Sequence, residues 1–392
     1  MKIGKFLLVG VIALGMMACN NEDEIDLQGQ PESTVSVKVV PSSNGPVVRA
    51  TGDLSGNGVL AAGLPAESAI KSLEVYLFHG ETPDGYKIVT GTDVTEVTGI
   101  ATHAGPKTMV VVANSNIGTV ATKTELTDIT MDLPVAIASG LPMTGESAEI
   151  TLKPGLNQYG YAASEVVATK FSEGIPLPLY RVNARVAIVS ATLASNLTPD
   201  QTDFFDALTD VQVAMFNVPE TTKLFGAELA MNANFLFGED WPTTEGTYTV
   251  GTVEGSFEDA VTFPITDDAA PYYYVNENSS NVAKEKMMIV LRAKPTKGGQ
   301  PAAATNLYTD ANGYTYYPIW VNAGGLGYTF TGDNSGDNII RRNTQYNISL
   351  VIHKIGYPNI DPPAAATVDV LVSVAPWSVV TQDVVWGGTV AP

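Results

Sequence analysis

Apolar and polar residues alternate with a period of two through most of this chain. Val35, Val37 and Val39 alternate with Thr34, Ser36 and Lys38, and Leu73, Val75 and Leu77 alternate with Ser72, Glu74 and Tyr76. Val368, Val370, Val372 and Val374 alternate with Asp369, Leu371, Ser373 and Ala375. A repeat of two puts one set of side chains on one face of an extended backbone, so each segment predicts a β-strand. Short apolar runs at Met109–Val112, Val186–Val189, Val211–Met215 and Met287–Leu291 suit strands covered on both faces. Glycine and proline punctuate them at Gly174–Pro178, Gly324-Gly325 and Pro362-Pro363. Helical periodicity is confined to Ala121–Ile129 and Asp200–Leu208. Many short strands without strand–helix alternation predict an all-β protein of antiparallel β-sandwiches with few short helices.

Length adds the number of units. Residues 19–392 are too many for one ordinary sandwich core, so two tandem domains are expected. The Pro-rich crossing Ile175–Tyr180 follows a glycine-rich stretch and marks the boundary, giving 50–176 and 177–392. No sequence repeat relates the two halves.

The first residues break the pattern. Lys2 and Lys5 precede an apolar run, Phe6–Met17, and Ala18 then stands before Cys19, the one cysteine of the chain. That is a secretory signal over residues 1–18 whose cleavage site ends in Cys, although Met16 stands where leucine is usual. A thiol there is the attachment point for acyl chains, and two or more chains give a stable membrane anchor. Asn20–Gln30, with Glu22, Asp23 and Glu24, reads as an acidic tether. No second apolar stretch approaches the ~20 residues needed to cross a bilayer as a helix.

Charge and chemistry exclude more than they assign. Asp and Glu outnumber Lys and Arg by 41 to 21, a net charge of −20 with no basic cluster, which argues against nucleic acid. His79, His103 and His353 have no second ligand at metal-binding spacing. The run Asp333–Asn338 superficially resembles a calcium loop, but Thr344 stands where the closing Glu is needed. No nucleophile elbow, zinc-protease helix or phosphate-binding loop occurs, so neither enzymatic activity nor a cofactor is expected. Tyr272–Tyr274, Tyr316-Tyr317 and Trp320 could form a glycan platform on a monomeric surface lipoprotein, against the ordinary role of strand aromatics in cores.

Arginine usage is uneven. Arg49 is the only arginine before Arg181, and it stands in a Pro-Ser-Asn-Gly-rich stretch typical of exposed loops, where proteases nick folded proteins. A cut between Arg49 and Ala50 detaches residues 19–49, and with them the strand that carries Val35, Val37 and Val39. Removing a strand exposes apolar side chains and unpaired backbone groups, a groove that accepts an extended segment from a neighbour. Such a head-to-tail contact does not close on itself and generates filaments. Ser378–Trp386, with Val379, Val380, Val384, Val385 and Trp386, is the candidate donor.

Several ordered stretches then resemble one family. They include Lys5–Leu8, Met17–Asn20, Arg49-Ala50, Arg181–Arg185, Leu224–Ala227, Tyr274–Asn278, Thr315–Asn322, Arg342–Leu350 and Val374–Trp377. In this order they resemble the FimA-type major fimbrial subunits (fimbrillins, type V pilins) of the Bacteroidales, nearly end to end. The resemblance implies two transthyretin-like β-sandwiches and export as a lipoprotein to the outer membrane surface. It also implies cutting after Arg49 by an Arg-specific surface protease. Polymerisation with further copies and with accessory fimbrial subunits then gives a fimbrium that supports adhesion and biofilm formation. An anchor or tip subunit is the alternative within the same family. Gly387–Pro392, beyond Trp386, departs from the family pattern.

Overall fold

The computed structural model describes residues 31–41, 65–133, 140–163, 167–195, 197, 205–226, 235–236, 257, 260–280, 285–302, 308–322, 328–331, 336–360, 368–376 and 381–386. Every segment singled out for alternation or apolar run lies in a strand, except that Met287 stands just before its strand. These strands are Glu32–Pro41, Ser72–His79, Gly105–Ala113, Ala184–Leu193, Ala207–Phe216, Met288–Lys297 and Val368–Pro376. The run Ala121–Ile129 contains the helix Lys123–Thr127. Thr122 caps it: its hydroxyl accepts the Glu125 N–H at 2.9 Å, while the Glu125 carboxylate accepts the Ala121 N–H at 2.5 Å. Asp200–Leu208 behaves otherwise where it is described. Ala207 and Leu208 open a strand opposite Thr296 and Pro295, and cross-strand pairing overrides the local helical pattern.

In the N-terminal unit the first strand, Glu32–Pro41, occupies the middle of a ten-stranded system. In the C-terminal unit Ala184–Leu193 lies between Tyr272–Val275, antiparallel, and Thr344–Ile352, parallel. A second sheet of Ala207–Phe216, Met288–Lys297 and Thr315–Trp320 supplies the opposing layer. Along it Val213, Met215, Ile289 and Leu291 enter the central core, while Ala214, Phe216, Met288 and Val290 build a second cluster on the other face. The period of two therefore buries both faces of this sheet. The result is the expected pair of tandem β-sandwiches, with parallel pairings added to the antiparallel ones.

The expected division at 176/177 falls one strand early. Leu177–Arg181 pairs with the first strand and with Met143–Glu146, and Leu177 and Leu179 enter the N-terminal core. Sheet membership changes only between Arg181 and Ala184. The Pro-rich crossing is a bend on the way into a strand. Pro178 can stay in that strand because proline, which has no N–H to give, is tolerated where pairing is incomplete.

The two units share a stitched seam. Thr221–Lys223 pairs antiparallel with Thr130–Asp132 across it. Leu224, fully buried, enters the cluster of Tyr76, Phe78, Val110, Val112 and Leu126. Arg342 holds this segment, donating from Nη1 to the Leu224 carbonyl at 2.9 Å and from Nη2 to the Lys223 carbonyl at 3.0 Å.

Candidate functional site: the first-strand slot and the tail

The first strand is held on both sides. Glu32–Lys38 runs antiparallel to Glu96–His103, and Ser33–Val37 runs parallel to Gly155–Tyr159. At its end Val39–Pro41 runs parallel to Leu177–Leu179. Val35, Val37 and Val39 point into the N-terminal core and are 1%, 0% and 3% exposed. Burying three valines contributes about 1.5–3 kcal/mol each relative to exposure. Without this strand its neighbours would present an apolar trough with unpaired backbone groups on both walls.

Polar contacts fix the register. Asn157 Nδ2 donates to Ser33 Oγ at 2.7 Å, and the Ser33 hydroxyl lies 3.1 Å from the Lys153 carbonyl. Ser36 Oγ accepts the Gly99 N–H at 3.3 Å beside a shift in register between Val35 and Val37. The Lys38 ammonium stands 4.3 Å from the centre of the Tyr161 ring. Below the wall strand, Asp84 accepts from Thr102 Oγ1 at 2.8 Å and lies 2.6 Å from His103 Nδ1 and 3.1 Å from the buried Lys107 ammonium. Burial raises the Asp84 pKa, but the hydrogen bonds from His103, Thr102 and Lys107 outweigh it and leave the carboxyl below its usual range.

The tail lies on the other unit. Val368–Pro376 pairs antiparallel with the start of Thr344–Ile352 through Tyr346↔Val374, and parallel with Tyr328–Thr331. Thr381–Trp386 runs parallel to the rest of Thr344–Ile352, with Val384 opposite Leu350, Val385 opposite Val351 and Trp386 opposite Ile352. The two tail strands also pair with each other, Val370 opposite Val384.

The remaining residues picked from the sequence fall as follows. Cys19, Arg49, Ala50, Val379 and Val380 lie outside the described residues. Most of the aromatics proposed for a glycan platform turn inward. Tyr316 and Tyr317 are fully buried, Tyr273 donates to the Val213 carbonyl at 2.7 Å and Tyr274 to Glu67 Oε1 at 2.9 Å; only Tyr272 is well exposed. Among the described residues no group of three or more His, Cys, Asp or Glu side chains could hold a metal ion.

The first strand fills a slot in the first domain, and a valine-rich tail pairs along the sheet of the second. Comparison with known proteins identifies this layout. Residues 33–181 match the model of the major fimbrial subunit protein (FimA), and residues 183–377 match that of the FimA4 pilin C-terminal domain. The chain belongs to the FimA major fimbrial subunit family. It is similar to the major fimbrium subunit FimA type-4 of Porphyromonas gingivalis, 31% identical with 98% of this chain and 100% of that protein covered. The type-5 subunit of the same organism is also 31% identical over the same shares. The crystal structure of a fimbrilin (FimA) from P. gingivalis W83 shares the fold, with a TM-score of 0.65, 23% identity and coverage of 92% of this chain and 99% of that one. A putative cell adhesion protein from Parabacteroides distasonis also shares it, with a TM-score of 0.58, 22% identity and coverage of 92% and 98%. This FimA-family chain is thus a structural subunit of a cell-surface fimbrium.

The residues that sequence reading misses are the ones that fasten the two sandwiches together. Glu67 meets Arg185 across the seam, and Leu224, whose carbonyl Arg342 holds, enters the apolar cluster of the first unit. A charged residue inside an apolar strand, as Arg185 is in Ala184–Leu193, is the available signal.

Proposed function

We propose that this subunit is delivered as a monomer whose own first strand fills the slot, and polymerises by exchanging that strand for the tail of another copy. Lipid on Cys19 holds the precursor in the outer membrane. An Arg-specific surface protease cuts between Arg49 and Ala50, so residues 19–49 leave with Val35, Val37 and Val39. The tail strands of the next subunit then replace them, with Val379, Val380, Val384, Val385 and Trp386 on the donor side. Repeated head to tail, this gives a shaft that joins accessory subunits and supports adhesion and biofilm formation.

The observation that carries this reading is the central position of the first strand. A strand paired on both walls, burying three valines, connects to the rest of its domain only through the stretch that contains Arg49. One cut there turns a permanent element into an exchangeable one. The test is Arg49→Ala in the producing cell, with negative-stain microscopy and N-terminal sequencing of sheared surface protein. The variant should stay lipidated and unassembled, while the parent yields filaments whose chains begin at Ala50. Filaments of normal length from Arg49→Ala would refute strand release by this cut.

A further inference from the structure

The slot is not uniform along its length. Residues 33–37 have a strand on each side. Among the described residues, 39–41 have a single strand neighbour, Leu177–Leu179, and on the other side one backbone bond, from the Val39 N–H to the Thr95 carbonyl at 2.9 Å. Val40 is 44% exposed, unlike the three valines on the core face. The other end is tighter: the Ala104 N–H donates to the Pro31 carbonyl at 2.8 Å, and Asn157 grips Ser33.

Chain connectivity adds a direction. A cut after Arg49 frees the end of the strand at Pro41, whereas Glu32 stays joined to the tether. Among the described residues, the end that becomes free is thus also the end with fewer strand neighbours.

Resting on the strand-exchange reading above, we infer that Val39–Pro41 and the facing edge of Leu177–Arg181 form the toehold at which a second copy's tail first docks. Exchange runs from there towards Glu32. The incoming strand pairs first where the resident one has fewest bonds, and then displaces it one residue pair at a time. No fully empty slot forms, so the buried core face is never exposed to water at once. The docking tail is the donor segment named above together with the strand that leads into it, where Val368, Val370, Val372 and Val374 repeat the spacing of Val35, Val37 and Val39. The strand Val368–Pro376, nine residues long, also nearly matches the ten-residue resident strand.

The experiment uses the full precursor, nicked after Arg49 with an Arg-specific protease, and a labelled peptide spanning Val368–Trp386 of this chain. Peptide uptake and release of the cut strand are followed together. Val39→Ala, at the toehold, should speed exchange roughly tenfold, and Val35→Ala, equally buried but far from it, less than about threefold. Equal acceleration by both, or a larger effect of Val35→Ala, would overturn the direction. Because either variant could loosen the fold, amide exchange of the unmutated nicked chain provides a second reading. Val39 and Val40 should exchange before Val35 and Val37, and the reverse order would also overturn the toehold. If the unmutated nicked chain takes up no peptide, strand exchange itself fails, and the toehold with it.

Discussion

Glu67 and Arg185 meet across the domain seam at 2.6 Å, with both side chains fully removed from water. Glu67 comes from the short helix Pro65–Ser68 of the first unit and Arg185 from the opening strand of the second. Tyr274 donates to the same carboxylate oxygen, and Arg181 Nε donates to the Glu67 carbonyl at 2.8 Å. Burial pulls the Arg181 guanidinium down to about 10, against the opposing pull of Glu67. Two arginines from either side of the sheet changeover thus grip one four-residue helix.

Breaking this pair from one side strands a buried charge. Glu67→Ala should lower unfolding stability by about 3–5 kcal/mol, whereas the double change Glu67→Leu with Arg185→Met should recover most of it. Urea denaturation of the three chains checks this; a double variant no better than the single one would contradict the pairing.

Leu224 tests the apolar part of the seam. Leu224→Ala removes a fully buried side chain from a cluster built mainly by the other unit, at about 2–5 kcal/mol. The change should also uncouple the sandwiches, so calorimetry should resolve two transitions in place of one.

Alkaline stability follows from the tyrosines around Glu74. Tyr76 lies 2.8 Å and Tyr86 2.9 Å from Glu74 Oε2. Burial first, then the hydrogen bond to Glu74, pushes Tyr86 up to about 12 and raises Tyr76 as well. Both folded values exceed the unfolded value of ~10, so their contribution is complete below pH ~10 and is lost as pH rises through the folded values. Chemical denaturation between pH 8 and 12 should show stability falling above about 10, and Tyr86→Phe should flatten part of that fall.

The tail offers a test independent of the cut. Deleting Ser378–Pro392 removes the strand Thr381–Trp386, which pairs along Asn347–Ile352. Export and lipidation should persist while elongation stops, as seen by microscopy and fractionation. Polymers of the truncated chain would show that this segment is not needed as donor.

Much of the fold is legible in the order of residues. Val35, Val37 and Val39, or Met109–Val112, announce strands because a period of two has one geometric solution on an extended backbone. The helix at Lys123–Thr127 is legible through its capping pattern of Thr122 and Glu125. Pairing partners are not legible. Nothing local in Glu32–Pro41 says that it runs parallel to Gly155–Tyr159, more than a hundred residues away, nor that it ends beside Leu177. Leu177–Arg181 falls to the wrong unit on sequence grounds for the same reason: prolines announce a bend, not which sheet receives the chain afterwards.

The sequence alone determined strand identity, the order of two β-rich halves, the acidic surface and the resemblance to fimbrial subunits, because these depend on composition and on spacings of a few residues. Tertiary structure decided that the first strand is central, that its two ends are held unequally, and that Glu67 and Arg185 close the seam. Those relations join residues tens to hundreds of positions apart. They arise only when competing strand pairings are resolved by burial of a shared core, and no local pattern encodes that outcome.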